Sequence, residues 1–292
     1  MTFSDSIAEY LNTFVFSLLL GAIFSWIAKR QGYYRLPPPT PPGRYPLSLK
    51  SVIIVFCLYL GMTTFIAPIL ASFVRHLYAF NRAIPSFHIF NALQLFILLG
   101  TLLLLYLYIQ LLPSPLVKAI FKNRSIPRPA SLPKDFFMGV LSWVIAFPLV
   151  VAVGQLADLA LFLFTDFESY EQVAVRYLKT TLSSPETLTV ALFTILIAAP
   201  MIEECLFRGF LQTYFKRFLS PKKAIVLSSI CFALFHFAPS QGIGNISLLI
   251  SLFVFALFLG FIYERQASLT ASLALHITFN TVSTLRILYF PD

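Results

Sequence analysis

Apolar residues in this chain fall into long runs, separated by short polar or proline-containing connectors. A run of about 18 or more residues with few charges reads as a membrane span, whereas a soluble helix would show one apolar stripe. Eight such runs stand out, at approximately 8–28, 51–74, 89–112, 136–164, 188–215, 224–237, 246–263 and 268–290. The sixth is short, as for a partly inserted helix. The pattern predicts an all-α, polytopic membrane protein with about eight transmembrane helices.

Composition strengthens this reading. Of 292 residues, 58% are hydrophobic and only 11% are charged, against roughly a quarter charged in soluble domains. A water-facing surface cannot be built from what remains. Cys57, Cys205 and Cys231 lie inside apolar runs with no CxxC pair, which argues against a disulfide framework or a cysteine-based zinc site. The formal charge of +9 sits in the connectors, so the partner it implies is the bilayer and not nucleic acid. Only Asp5 and Glu9 precede or open the first run, with no basic residue ahead of it, so it reads as a retained span and not a cleaved signal.

The connectors divide the chain. Positions 36–43 hold a proline cluster that cannot continue a helix and reads as a stiff linker. Positions 113–134 form a second basic, proline-containing connector. The segment 165–186 mixes Asp166, Glu168, Glu171, Arg176 and Lys179 with apolar residues, as expected of a helix at the outer interface. Connectors after the odd-numbered spans carry 15 Lys and Arg, against 5 on the opposite side. The positive-inside rule then places both termini away from the cytoplasm. Residues 1–186 are read as an N-terminal region of about four spans with basic, proline-rich cytoplasmic loops. Residues 187–292 are read as a second transmembrane domain, the one that holds the candidate catalytic residues described next.

The informative residues are ionisable groups deep within the spans, each costly unless it faces the protein interior and finds a partner. Four groups qualify: Glu203 with Glu204, Arg208, His236, and His276 with Asn280. Counted from the nearest basic residue at the cytoplasmic end, Glu203, His236 and Asn280 lie about 20 Å deep and His276 about 16 Å. Three separate helices thus bring polar groups to one layer. Glu204 and Arg208, four apart, share a helix face and are expected to pair. Glu203 points about 100° away, free to face the two histidines. His276 and Asn280 share another face. Pro200 removes a helical hydrogen bond close by, as expected where a helix lines a cavity. His76 and His88 lie outside this layer and read as interfacial. Glu9, Asp158 and Arg286 lie near the outer ends of their spans, within reach of the interface.

One carboxylate, two imidazoles and one carboxamide suit water activation. Glu203 would act as general base, and His236 or His276 would orient the water or protonate the leaving amine. Asn280 would donate to the developing oxyanion. The reaction class is amide hydrolysis without a covalent enzyme intermediate, with no cofactor. The competing account is a divalent metal such as zinc on Glu203, His236 and His276. HExxH is absent, which favours the metal-free mechanism, and neither a GxSxG elbow nor a phosphate loop is present.

These residues resemble a known pattern. Glu203-Glu204-Cys205-Leu206-Phe207-Arg208 looks like the EExxxR motif of the CPBP family of CAAX proteases and bacteriocin-processing enzymes. Phe232 to His236 resembles its FxxxH motif, and His276 to Asn280 its HxxxN motif. The resemblance implies an eight-helix intramembrane endopeptidase acting near the C-terminus of a membrane-associated protein or peptide, prenylated in the type II CAAX endopeptidases. It implies catalytic roles for Glu203, His236, His276 and Asn280, and supporting roles for Glu204 and Arg208. Other members of the family act in bacteriocin self-immunity or peptide processing, and metal use varies among descriptions of the family. The expected location is the bacterial inner membrane or the endoplasmic reticulum membrane. A non-catalytic scaffold or immunity protein that retains the motifs and, less favoured, a proton-coupled transporter are the alternative readings. A transporter would more often show repeated halves, and none are visible.

Overall fold

The computed structural model describes residues 3–38, 47–80, 86–122, 131–165, 172–182 and 184–290. Every element among them is helical. Among the described residues six stretches are long and apolar enough to cross a membrane: Asp5–Arg30, Leu49–His76, Ile89–Gln110, Leu132–Phe164, Pro185–Phe215 and Pro239–Gln266. The protein is an all-α, multi-pass integral membrane protein.

The first crossing is α1 (Phe3–Arg30). The second runs from α2 (Leu49–Leu60) through a π turn at Gly61–Ile66 into α3 (Ala67–Phe80). Ser48 caps α2 by accepting a bond from the Ser51 amide. The third crossing is α4 (Ser86–Gln110), and the basic connector after it folds into a nine-residue helix, α5 (Ser114–Lys122). The long helix α6 (Leu132–Phe164) has 33 residues and rises about 50 Å, more than the roughly 30 Å hydrocarbon core.

After α6 the expected interfacial segment supplies α7 (Val173–Thr181). Asp166, Glu168 and Glu171 lie outside the described residues, as does most of the proline cluster. Tyr177 of α7 donates to Asn91 Oδ1 of α4 at 2.9 Å, which ties this short helix to the bundle. The fifth crossing is built of α8 (Pro185–Phe193), a π turn at Thr194–Ala198, α9 (Ala199–Glu204), a second π turn at Cys205–Gln212, and α10 (Thr213–Phe215). The sixth run becomes α11 (Pro221–Phe235), only 15 residues long. A 3₁₀ turn at Pro239–Gly244 then leads into α12 (Asn245–Gln266). A left-handed residue, Ala267 at φ 51°, turns the chain into α13 (Leu269–Tyr289).

Two apolar cores hold these elements. One gathers Val55, Leu105, Ile120, Leu206, Phe207, Phe210 and Phe232 from the second, third and fifth crossings, α5 and α11. The other gathers Ile145, Val150, Phe255, Leu259 and Leu275 from α6, α12 and α13. α12 belongs to both, with Ala256 facing the first core and Phe255 the second. α6 and α13 approach closely at Gly139, where an added Cβ would lie 2.7 Å from Ala274 Cβ and clash with the Ala271 carbonyl. Small residues let membrane helices pack this tightly. The polar layer sits where the two cores meet.

Candidate active site

The fifth crossing presents its acidic pair between two π turns. Each π turn adds a residue to the helical ladder and shifts the phase of the side chains beyond it, a feature frequent at functional sites. Glu204 and Arg208 pair as their spacing predicts: Arg208 Nη1 donates to Glu204 Oε1 at 3.0 Å, both side chains being almost fully buried. Arg208 also donates through Nη2 to the Ala256 carbonyl at 3.3 Å and lies over the Phe232 ring. Its charge is thus met by a carboxylate, a carbonyl and an aromatic face.

Glu204 has a second duty that spacing did not reveal. His276 Nδ1 donates to the same Oε1 at 2.8 Å, across 72 residues of sequence. A carboxylate only accepts, so this bond places the proton on Nδ1 and leaves Nε2 facing onward. His276 Nε2 lies 3.7 Å from Glu203 Oε2. Phe255 packs edge-on against the His276 ring at 5.2 Å and fixes its plane.

His236 follows the last residue of α11. Its Nδ1 lies 2.8 Å from the Phe232 carbonyl, one turn back, and a carbonyl only accepts, so Nδ1 again carries the proton. Nε2 lies 3.8 Å from Glu203 Oε1. Phe232 stacks against this ring at 4.6 Å. The loop beyond is fixed by Asn245, which accepts from the Ala238 amide and donates to the Ala238 and Gly242 carbonyls. Sequence reasoning passed over Asn245, because a lone Asn before an apolar run signals only a helix start.

The structure therefore brings Glu203, His236 and His276 together, with one imidazole nitrogen near each carboxylate oxygen. Both gaps exceed direct hydrogen-bond length yet are too short to hold a water in line, so a water contacting the trio would sit beside it, on the open side of Glu203. The Glu203 side chain keeps 19% of its surface exposed, whereas Glu204 is fully enclosed. Tyr59 of α2 stacks on Phe235 at 5.4 Å and lies within electrostatic reach of Glu203. It escaped the sequence reading because one Tyr in an apolar run carries no pattern.

Asn280 is engaged elsewhere than on that trio. Its Nδ2 donates to the Ile195 carbonyl at 2.9 Å. In the π turn at Thr194–Ala198, Ala199 N–H bonds back five residues to the Thr194 carbonyl. The next donor in that register would be residue 200, which is proline and has no N–H. Asn280 thus fills the acceptor that Pro200 leaves open, and among the described residues its second Nδ2 hydrogen meets no acceptor. His76 is held by the Ser72 carbonyl on its own exposed helix face, and the His88 side chain lies outside the described residues. No group of three His, Cys, Asp or Glu among the described residues has the spacing of a metal site.

The fold and this layer define a class: a multi-pass membrane protein with a carboxylate and two oriented imidazoles inside its helix bundle. Residues 185–282 match the family model described as type II CAAX prenyl endopeptidase Rce1-like. The match covers about a third of the chain, agrees with the CAAX protease resemblance of its motifs, and supports a protease. No curated protein and no solved structure matches the chain.

Proposed function

We propose that the protein is an intramembrane endopeptidase that cleaves a membrane-associated protein or peptide near its C-terminus by glutamate-activated water. The observation that carries this reading is the placement of Glu203 3.7–3.8 Å from the Nε2 atoms of two histidines whose Nδ1 protons are committed elsewhere. A water seated beside these groups, on the open side of Glu203, donates one hydrogen to Glu203 and is aligned by an imidazole Nε2. As its oxygen attacks the peptide carbonyl, its proton passes to Glu203. The C–N bond then breaks, and the departing nitrogen takes back the proton that Glu203 received from the water, directly or relayed through a histidine Nε2. The second Nδ2 hydrogen of Asn280 serves the oxyanion.

Glu204 and Arg208 act through His276, the carboxylate holding the ring and the guanidinium holding the carboxylate. No cofactor is needed for these steps. A zinc-type ion on Glu203, His236 and His276 would supply water activation instead, and a chelator separates the two accounts. Chelation is expected to leave the rate unchanged.

The decisive variant is Glu203→Gln, nearly isosteric but unable to take a proton. The expected result is normal insertion with cleavage reduced by at least about 10²-fold, measured on fluorogenic peptides with and without a prenyl group. Retained cleavage would sink the assignment. A protein that folds in both forms and cleaves no peptide in either would favour the scaffold reading.

A further inference from the structure

At the end of the bundle where Lys and Arg concentrate, a cavity of about 370 Å³ opens between the α1 exit, the start of α6 and the end of α12. Among the described residues its charged lining is wholly basic, consisting of Arg35, Lys134 and Arg265, beside Gln266. Asp135, in the same turn as Lys134, is buried and does not line it. Lys134 sits at the third position of α6, whose N-terminal amides add positive potential to the cavity. Met138 and Leu36 supply an apolar wall beside the cations.

The cavity is built, not merely enclosed. Arg265 Nε donates to the Tyr33 carbonyl at 2.6 Å, and the guanidinium lies over the Tyr33 ring. Tyr33 in turn donates through its hydroxyl to Ser142 Oγ at 2.7 Å. Burial pushes the Tyr33 phenol up to about 12, so it stays neutral and adds no negative charge. Arg35 and Lys134 are exposed and can close on an occupant.

We infer that this cavity is a phosphate-recognising site that binds the headgroup of an anionic phospholipid. Three cations with an adjoining apolar wall suit a group with negative charge on one side and acyl chains on the other. Basic pockets between helices at the cytoplasmic face are the recurrent solution for such headgroups. The bound headgroup would clamp α1, α6 and the turn that leads from α12 into α13, the helix that carries His276.

The test compares full-length wild type with the Arg35→Gln/Lys134→Gln double variant, neither residue belonging to the catalytic layer. Native mass spectrometry counts retained phosphatidylglycerol, and thermal unfolding is followed in phosphatidylcholine vesicles with and without it. Wild type should retain the anionic lipid about tenfold more tightly than the variant, and be stabilised by it where the variant is not. An Arg35→Lys variant keeps the charge and should behave as wild type, which separates lost binding from misfolding. Inorganic phosphate added to phosphatidylcholine vesicles distinguishes the sources. Stabilisation by the lipid assigns the headgroup, and stabilisation by phosphate alone assigns the free ion to the same site. Equal lipid retention by wild type and double variant overturns the proposal.

Discussion

Single atoms set the chemistry of the polar layer. Glu204 Oε1 accepts from both Arg208 and His276, so neither partner is dispensable. Arg208→Met would strand a carboxylate in an apolar interior, at a cost of about 3–5 kcal/mol. Adding Glu204→Gln should return part of that loss, because the stranded charge disappears. Unfolding in detergent measures the recovery, and a double variant no more stable than Arg208→Met would refute this account of the pair. Activity should not recover alongside stability, because Gln at 204 presents a neutral and weaker acceptor to His276 Nδ1. The Glu204–Arg208 pair was legible from the sequence, because helical spacing alone brings the two together. The bond to His276 was not, because it joins positions whose proximity only the packing of α9 against α13 creates.

At the scale of elements, the fifth crossing is shaped by what Pro200 lacks. Asn280→Ala would leave the part-buried Ile195 carbonyl without this donor, at up to about 1–3 kcal/mol. Pro200→Ala restores a backbone N–H that can serve the same carbonyl. Combined, the two changes should cost less stability than their sum, while cleavage stays impaired through loss of the oxyanion donor. A strictly additive pair in a double-mutant cycle would show that the Pro200 gap and Asn280 are unrelated. The apolar runs made most crossings readable, since length and hydropathy suffice. The π turns were not readable, because their register depends on neighbours such as Ile120, which meets Gly209 in the second of them. α5 hid in a basic connector, too short and too charged to stand out. α13 carries His276, Asn280 and Arg286 and packs against α6 at Gly139, so Gly139→Leu should prevent that approach. Loss of the folded, monodisperse protein on size exclusion is the expected result.

For the whole molecule, the distribution of basic connectors gives an orientation that can be tested apart from catalysis. Reporter fusions at residue 1 and residue 292 should both report the non-cytoplasmic side, and the loop joining α10 to α11 the cytoplasmic side. Opposite results would reverse the access route to Glu203 without moving any residue of the layer. The division of the bundle into two cores that share α12 explains why the site lies where it does. Buried polar groups need rigid surroundings that are not purely apolar, and the seam between the cores offers Arg208 the Ala256 carbonyl.

The two histidines also make the site unequal toward reagents. Each Nδ1 is tied down by a protein oxygen, and each Nε2 faces the open side of Glu203. An imidazole-seeking electrophile such as diethyl pyrocarbonate would therefore meet one nucleophilic atom per ring, and the less enclosed His236 should yield first. A carbethoxy group on that nitrogen would occupy the space of the attacking water, so inactivation should track a single modified ring and be slowed by a bound peptide. Peptide mapping of the labelled protein would read that order directly, turning hydrogen-bond geometry into a footprint.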